Sequence, residues 1–303
     1  MNKQGKWLRE PKNGLNVVFI HGIHSSDDCW RSKNGTYWPN LLKAEGELDD
    51  IGIYLFSYQT GFNAGSYSLG DIVDSLYEHI TNFDQVLDSD RVIFVCHSMG
   101  GIIARRFLVR EESNLIDKGL KRIGLFLVAS PSLGSDYANM LALVSEFFGY
   151  TQAKTLKFSQ NNVWLNDLDN DFINLKDANR LNIKGQELIE ALPIKIIRFF
   201  GFKKQIVEPF SGARYFGRSY KVAGSDHITI AKPEDKYADQ HRLLINFIKD
   251  FEKPYNLSKT QASETQDLSN PTKRDQENQI RLQFNNEISG GVVNQAETIN
   301  IQN

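Results

Sequence analysis

The chain has 303 residues, 41% hydrophobic and 24% charged, which suits one large domain with a buried sheet plus an appendage. Its 35 Lys and Arg against 37 Asp and Glu leave a formal net charge of -2, so no basic excess argues for a nucleic-acid partner. Cys29 and Cys96 are too few for a disulfide framework, the N-terminal MNKQGKWLREPKNG lacks the apolar core of a signal peptide, and no apolar run approaches the ~20 residues needed to span a bilayer. These features predict a cytoplasmic protein, which could still work on a membrane surface.

Short apolar, β-branched runs alternate with helical spacing along the chain, the pattern of a mostly parallel central sheet flanked by helices. Residues 16–20 (NVVFI) read as a buried strand and 51–58 (IGIYLFSY) as the next, with a helical pattern over 38–47 between them. Ile72, Leu76 and Ile80 give residues 69–80 one apolar helix face. A third strand is expected over 91–96 (RVIFVC), directly followed by a helix over 101–109, and a fourth strand over 122–129 (RIGLFLVA). A fifth strand is placed at 194–200 (IKIIRFF), a sixth at 219–223, and a closing helix at 240–251 with Leu243, Leu244, Phe247 and Ile248 on one face.

Residues 132–193 interrupt this rhythm with a helical pattern at 137–148 and a polar stretch rich in Asn and Asp. An insertion after a strand's carboxyl end tends to roof the site there, so a small cap or lid is expected, with a plain connecting helix pair as the alternative. From Pro254 the composition changes: residues 254–303 hold 15 Asn or Gln and only two aromatics, too little apolar surface for a core. The main domain is therefore expected to cover 1–253. Ile280, Leu282 and Phe284 alternate with polar residues in this tail, which fits short strands that dock on a partner or on another copy; a disordered tail is the alternative.

The strongest chemical signal is VIFVCHSMGG, residues 92–101. A buried strand ends in Cys-His-Ser-Met-Gly and a helix starts at once, so the Ser98 hydroxyl is thrown clear of the sheet on a sharp turn. Such a turn is crowded and needs small residues two before and two after the serine; Gly100 meets this demand, and Cys96 stands where glycine is usual. The helix N-terminus also points its amides and positive dipole end toward the site. A second motif, FIHGIH (residues 19–24), ends the first strand; its turn would aim the Ile23 amide at the nucleophile, pairing it with the Met99 amide in an oxyanion hole. His21 and His97 are placed on the substrate side, with His21 bracing the loop rather than reacting. The rival reading, a metal site from His21, His24 and Cys29, lacks a carboxylate or further Cys to complete the ligand spacing.

A general base should follow the last strands, and His227 lies in such a loop, VAGSDHITIAKP (222–233), whereas His241 falls inside the closing helix. The acid is expected after the fifth strand, where Glu208 is the one carboxylate in FFGFKKQIVEPFSGA (199–213). Asp136 is the second candidate, and Asp226 stands too close in sequence to His227 for easy geometry.

With FIHGI, YLFSYQTG, VCHSMGG, ASPSLGSDYA and VAGSDHITIAKP, the chain resembles the lipase-like branch of the α/β-hydrolases over about residues 14–252. It is similar to the serine-active-site proteins of phosphatidylglycerol remodelling and, more loosely, to the GPI inositol-deacylases. Where that family commonly has Thr-Pro-His-x-Gly-Ser, this chain has Ser130-Pro131-Ser132-Leu133-Gly134-Ser135. The resemblance implies an α/β-hydrolase fold and an esterase or lipase acting on acyl-ester or lipid-like substrates, with no metal or organic cofactor. The Asn/Gln-rich tail adds the expectation of an effector held by a partner until triggered. An inactive hydrolase fold serving as a binding scaffold is the main alternative, and an acyltransferase or thioesterase the next.

Overall fold

The computed structural model describes residues 4–12, 14–22, 27–58, 68–131, 163–192, 194–196, 205–207 and 215–253. The chain divides into two units, residues 1–251 and 252–303. The expected cap helix over 137–148 and the expected docking tail over 254–303 lie outside the described residues. No described helix is long and apolar enough to cross a membrane.

The first unit is built on a seven-stranded sheet. Its strands are β1 (Gly5–Arg9), β2 (Leu15–Ile20), β3 (Gly52–Phe56), β4 (Arg91–His97), β5 (Arg122–Val128), β6 (Ile183–Glu190) and, last in the sheet, Tyr220–Val222. Between the last two comes a separate antiparallel pair, β7 (Ile194–Ile196) and β8 (Gln205–Val207), so Tyr220–Val222 is β9. The spatial order is β1-β3-β2-β4-β5-β6-β9, with β1 antiparallel to β3 and the other pairings parallel. From β2 the chain runs outward to β3 and then returns to β4 on the other side of β2. In open parallel sheets such a reversal opens a crevice at the strands' carboxyl ends.

The residues of β2, β4 and β5 are nearly all buried because both sheet faces are covered. Alternate residues serve the two faces: Val18, Ile20, Phe94 and Cys96 join one apolar cluster, and Val17, Phe19, Ile93 and Val95 the other. The first face is covered by α2 (Leu69–Tyr77) and α3 (Met99–Arg110), the second by α1 (Trp38–Lys43). A short α4 (Glu112–Asp117) follows α3; α5 (Val163–Ala178) packs against α3 through Leu168 and Phe172, and α6 (Asp239–Glu252) lays Leu244, Ile248 and Phe251 on the second face.

Three expectations need correction. The strand placed at 194–200 is not part of the central sheet: Ile194–Ile196 pairs with Gln205–Val207 in the small hairpin. The sheet strand is β6, which lies inside the range expected to form the cap, so at least α5 and β6 belong to the scaffold rather than to a roof. The reason is tertiary. Gly185 leaves room for the Phe216 ring, whose nearest atom stands 2.3 Å from where a Cβ would lie, so a distant aromatic supplies the apolar cover that the strand's own sequence lacks. Helix α2 also continues differently from the expected single helix over 69–80, passing into a π-helical turn at Glu78–Phe83.

Candidate active site

Ser98 sits between β4 and α3 with φ 54° and ψ -122°, a backbone conformation that L-residues avoid. The strain is held by its surroundings: the Ser98 amide donates to the Val128 carbonyl at 3.0 Å, and its own carbonyl accepts from the Gly101 amide at 3.1 Å. Gly100 is required here, because a Cβ would come within 2.3 Å of the Ile20 carbonyl oxygen. Cys96 is accommodated because its side chain points into the α2/α3 core and is fully buried. Burial pushes its thiol well above the ordinary cysteine value, which keeps it protonated and inert.

His227 reaches this turn from the loop after β9. Its Nε2 lies 2.9 Å from Ser98 Oγ, and its Nδ1 lies 3.3 Å from Oε1 of Glu190, the last residue of β6. The loop is tied to the end of β6, since the amides of Ala191 and Leu192 donate to the Ser225 carbonyl at 3.0 and 2.9 Å. Asp226 is used within the loop: its Oδ1 accepts from the amides of Ile228 and Thr229 at 3.0 and 2.8 Å. Burial opposes its ionisation, but these bonds and that of the Thr229 hydroxyl outweigh burial and hold its carboxyl below the usual range. With Glu190 accepting from Nδ1–H, the Nε2 lone pair faces the serine hydroxyl. The arrangement can pass a proton from Oγ to Nε2 while a buried carboxylate faces the resulting positive ring.

Met99 opens α3, so its amide has no acceptor within the helix and is available to a ligand at the turn. Ile23, the other expected oxyanion donor, lies outside the described residues, but Gly22 just before it stands against Ser98: a Cβ there would be 2.9 Å from Ser98 Cβ.

His21 and His97 do not stand free to meet a substrate. His21 is 1% exposed; its Nε2 accepts from the Tyr58 amide at 3.1 Å, its Nδ1 meets the Gly22 carbonyl at 2.7 Å, and its ring stacks on Tyr58 at 4.3 Å. Burial lowers its pKa, in keeping with a neutral bracing ring. These bonds also occupy the nitrogens that the rival metal reading requires. His97 is buried too, with Nε2 2.8 Å from the His227 carbonyl oxygen.

Behind the turn, Arg105 of α3 is fully buried and pairs with fully buried Asp169 of α5. Arg105 also donates to the Pro131 and Tyr215 oxygens, and the Tyr215 hydroxyl bonds Asp169. This network clamps α3 to α5 and to the segment leaving β5.

The α/β hydrolase family model matches residues 17–239, most of the chain. The chain belongs to the α/β hydrolase family. Among curated proteins no relative matches this α/β-hydrolase. Similar solved structures include an esterase from Exiguobacterium antarcticum (16% identity, 81% of this chain and 94% of that one, TM-score 0.43). A putative aryl esterase from Burkholderia cenocepacia is comparable (14% identity, 82% and 95% covered, TM-score 0.45). Phospholipase PlaB from Legionella pneumophila aligns at 18% identity over 58% of this chain but 39% of its own, with TM-score 0.42.

In this α/β-hydrolase the residue that sequence reading missed is Glu190. Glu208 and Asp136 lie outside the described residues, and the described carboxylate that meets His227 is Glu190. A carboxylate closing a strand was the available signal; the bonds from the next loop to the His227 loop appear only in the structure. That signal was hidden because the preceding IKGQELI does not look like a sheet strand.

Proposed function

We propose that the protein is a serine ester hydrolase that cleaves acyl esters, with Ser98 as nucleophile, His227 as general base and acid, and Glu190 as the carboxylate partner of His227. The observation that carries this reading is the 2.9 Å approach of His227 Nε2 to Ser98 Oγ on a strained turn. Ser98 would attack the acyl carbonyl while His227 takes its proton, and His227 would then return that proton to the leaving alcohol. The Met99 and Ile23 amides would stabilise the oxyanion, each donor worth about 3–4 kcal/mol. Water, activated by the same imidazole, would release the acid and restore the enzyme. Each step uses groups of the chain alone and needs no cofactor.

Two features favour an apolar acyl chain. Leu192, two residues past Glu190, is 47% exposed, and Ile228, next to His227, is 56% exposed. Large apolar side chains beside a polar site fit a lipid-like substrate and a peripheral approach to membranes. We place the enzyme in the cytoplasm, where the buried free thiols of Cys29 and Cys96 would stay reduced, and assign residues 254–303 to partner docking or self-association that regulates it.

A panel of p-nitrophenyl esters from acetate to palmitate, and phosphatidylglycerol vesicles, tests the reading with wild type, Ser98→Ala and His227→Ala. Ester turnover by the wild type and its loss in both variants is expected. Equal turnover by wild type and Ser98→Ala would overturn it, and a folded wild type inert on every ester would favour the scaffold reading.

A further inference from the structure

We infer that His97 is a positioning residue that sets the distance between nucleophile and base, by tying the backbone of His227 to the residue immediately before Ser98. The inference rests on the serine-hydrolase reading above and goes beyond it, because the ring acts on the base through its main chain.

The geometry is specific. His97 closes β4, one residue ahead of the strained serine, and its ring crosses to the loop after β9, where Nε2 lies 2.8 Å from the His227 carbonyl oxygen. A carbonyl can only accept, so Nε2 carries the proton. The Nδ1 atom is then a bare acceptor, buried and, among the described residues, without a partner. A buried, half-satisfied imidazole has a cost, and no bond at Nδ1 offsets it. What the residue gains is a bond from the serine's segment to the main chain of His227.

The surroundings hold the ring still. The Trp30 ring packs edge-on at 6.2 Å, the His227 ring lies at 5.1 Å, and a Cβ on Gly22 would come 3.2 Å from Nδ1. Burial, helped by the nearby His227 charge, lowers the His97 pKa to about 3, so this ring keeps one proton while its neighbour cycles between neutral and charged forms. His227 is thus held at both ends: Glu190 orients the ring from Nδ1, and His97 anchors the peptide that carries it. Without the second hold, the imidazole could reach Glu190 and still stand off the serine.

The matched pair His97→Gln and His97→Met tests this. The side chains are similar in length, but only Gln can present an N–H near the position of Nε2. The readouts are kcat and KM on p-nitrophenyl butyrate and the rate of Ser98 labelling by a fluorophosphonate. For Met, kcat and labelling rate should fall about 10–100-fold with KM within about twofold, as expected when a reacting group is displaced by about 1 Å. Gln should stay within about threefold of wild-type kcat, clearly above Met. His97→Phe, which keeps an aromatic ring and loses the donor, takes the place of Met should Met fail to fold, and the same loss is expected of it. Met or Phe at wild-type kcat, or Gln as impaired as Met, would overturn the inference. A wild type that neither labels nor turns over ester is a different failure, that of the serine-hydrolase reading itself.

Discussion

Glu190→Gln isolates the charge of the proposed triad acid while keeping its shape. In the wild type Oε1 lies 3.3 Å from His227 Nδ1, and the Glu190 side chain is fully buried. When His227 takes the Ser98 proton it becomes cationic, and the carboxylate faces it at that distance. At an effective dielectric of about 20, two unit charges so placed attract by about 5 kcal/mol. That attraction is realised only once the proton has moved, so it belongs to the transition state and should appear in kcat rather than KM. At about 1.4 kcal/mol per decade, its loss predicts a fall in kcat of about 10³–10⁴-fold, with KM changed by less than about threefold. Steady-state hydrolysis of p-nitrophenyl butyrate measures both, with circular dichroism to show that the variant is folded. A folded Glu190→Gln enzyme within tenfold of wild-type kcat would refute this role for Glu190 and return the acid to Glu208 or Asp136.

Asp169→Asn removes the charge paired with the buried Arg105 guanidinium, costing about 3–5 kcal/mol and lowering the melting temperature by about 6–20 °C in a scan; an unchanged midpoint would contradict the clamp. Cys96→Gly, although it restores the residue usual at this turn, should destabilise by about 1–3 kcal/mol in urea titrations, because the fully buried thiol fills the core between sheet and helices; a stabilised variant would contradict that packing. For pH, the His97 value is lowered to about 3 in the fold, so below about 6.5 the unfolded chain binds a proton that the native ring refuses. The associated stability is present in full above about pH 6.5 and is lost at about 1.4 kcal/mol per unit as pH falls toward the folded value. Urea midpoints should therefore show the wild type losing about 2 kcal/mol more than His97→Gln between pH 6.5 and 5.0; parallel curves would contradict it. Burial lowers His21 and His241 in the same direction, and both are common to the two proteins.

The sequence is legible where one segment holds all the information. Strands β2, β4 and β5 are buried on both faces and so read as unbroken apolar runs, and the β4–α3 turn needs its small residue within two positions of Ser98. His227 is legible for a similar reason, as a loop histidine between the last strand and the closing helix. Strand β6 is not, because its burial depends on Phe216, far downstream of Gly185, and its own Gly185 and Lys184 argue against a strand. Missing β6 shifts the expected acid to Glu208 and hides Glu190. Strand β1 is equally opaque: Trp7 packs edge-on against Tyr54 at 5.2 Å and donates to the Asp84 carbonyl, contacts that nothing in GKWLR announces. The contact behind the bracing role proposed for His97 likewise spans 130 residues, beyond the reach of any local signal.

The most direct measurement is the mass of the intact protein after brief exposure to a fluorophosphonate, with peptide mapping of the adduct. One adduct on Ser98, absent in Ser98→Ala and formed far more slowly in His227→Ala, is the predicted outcome. A folded wild type that stays unmodified, or that carries its adduct on another residue, would contradict the assignment of Ser98 as an activated nucleophile.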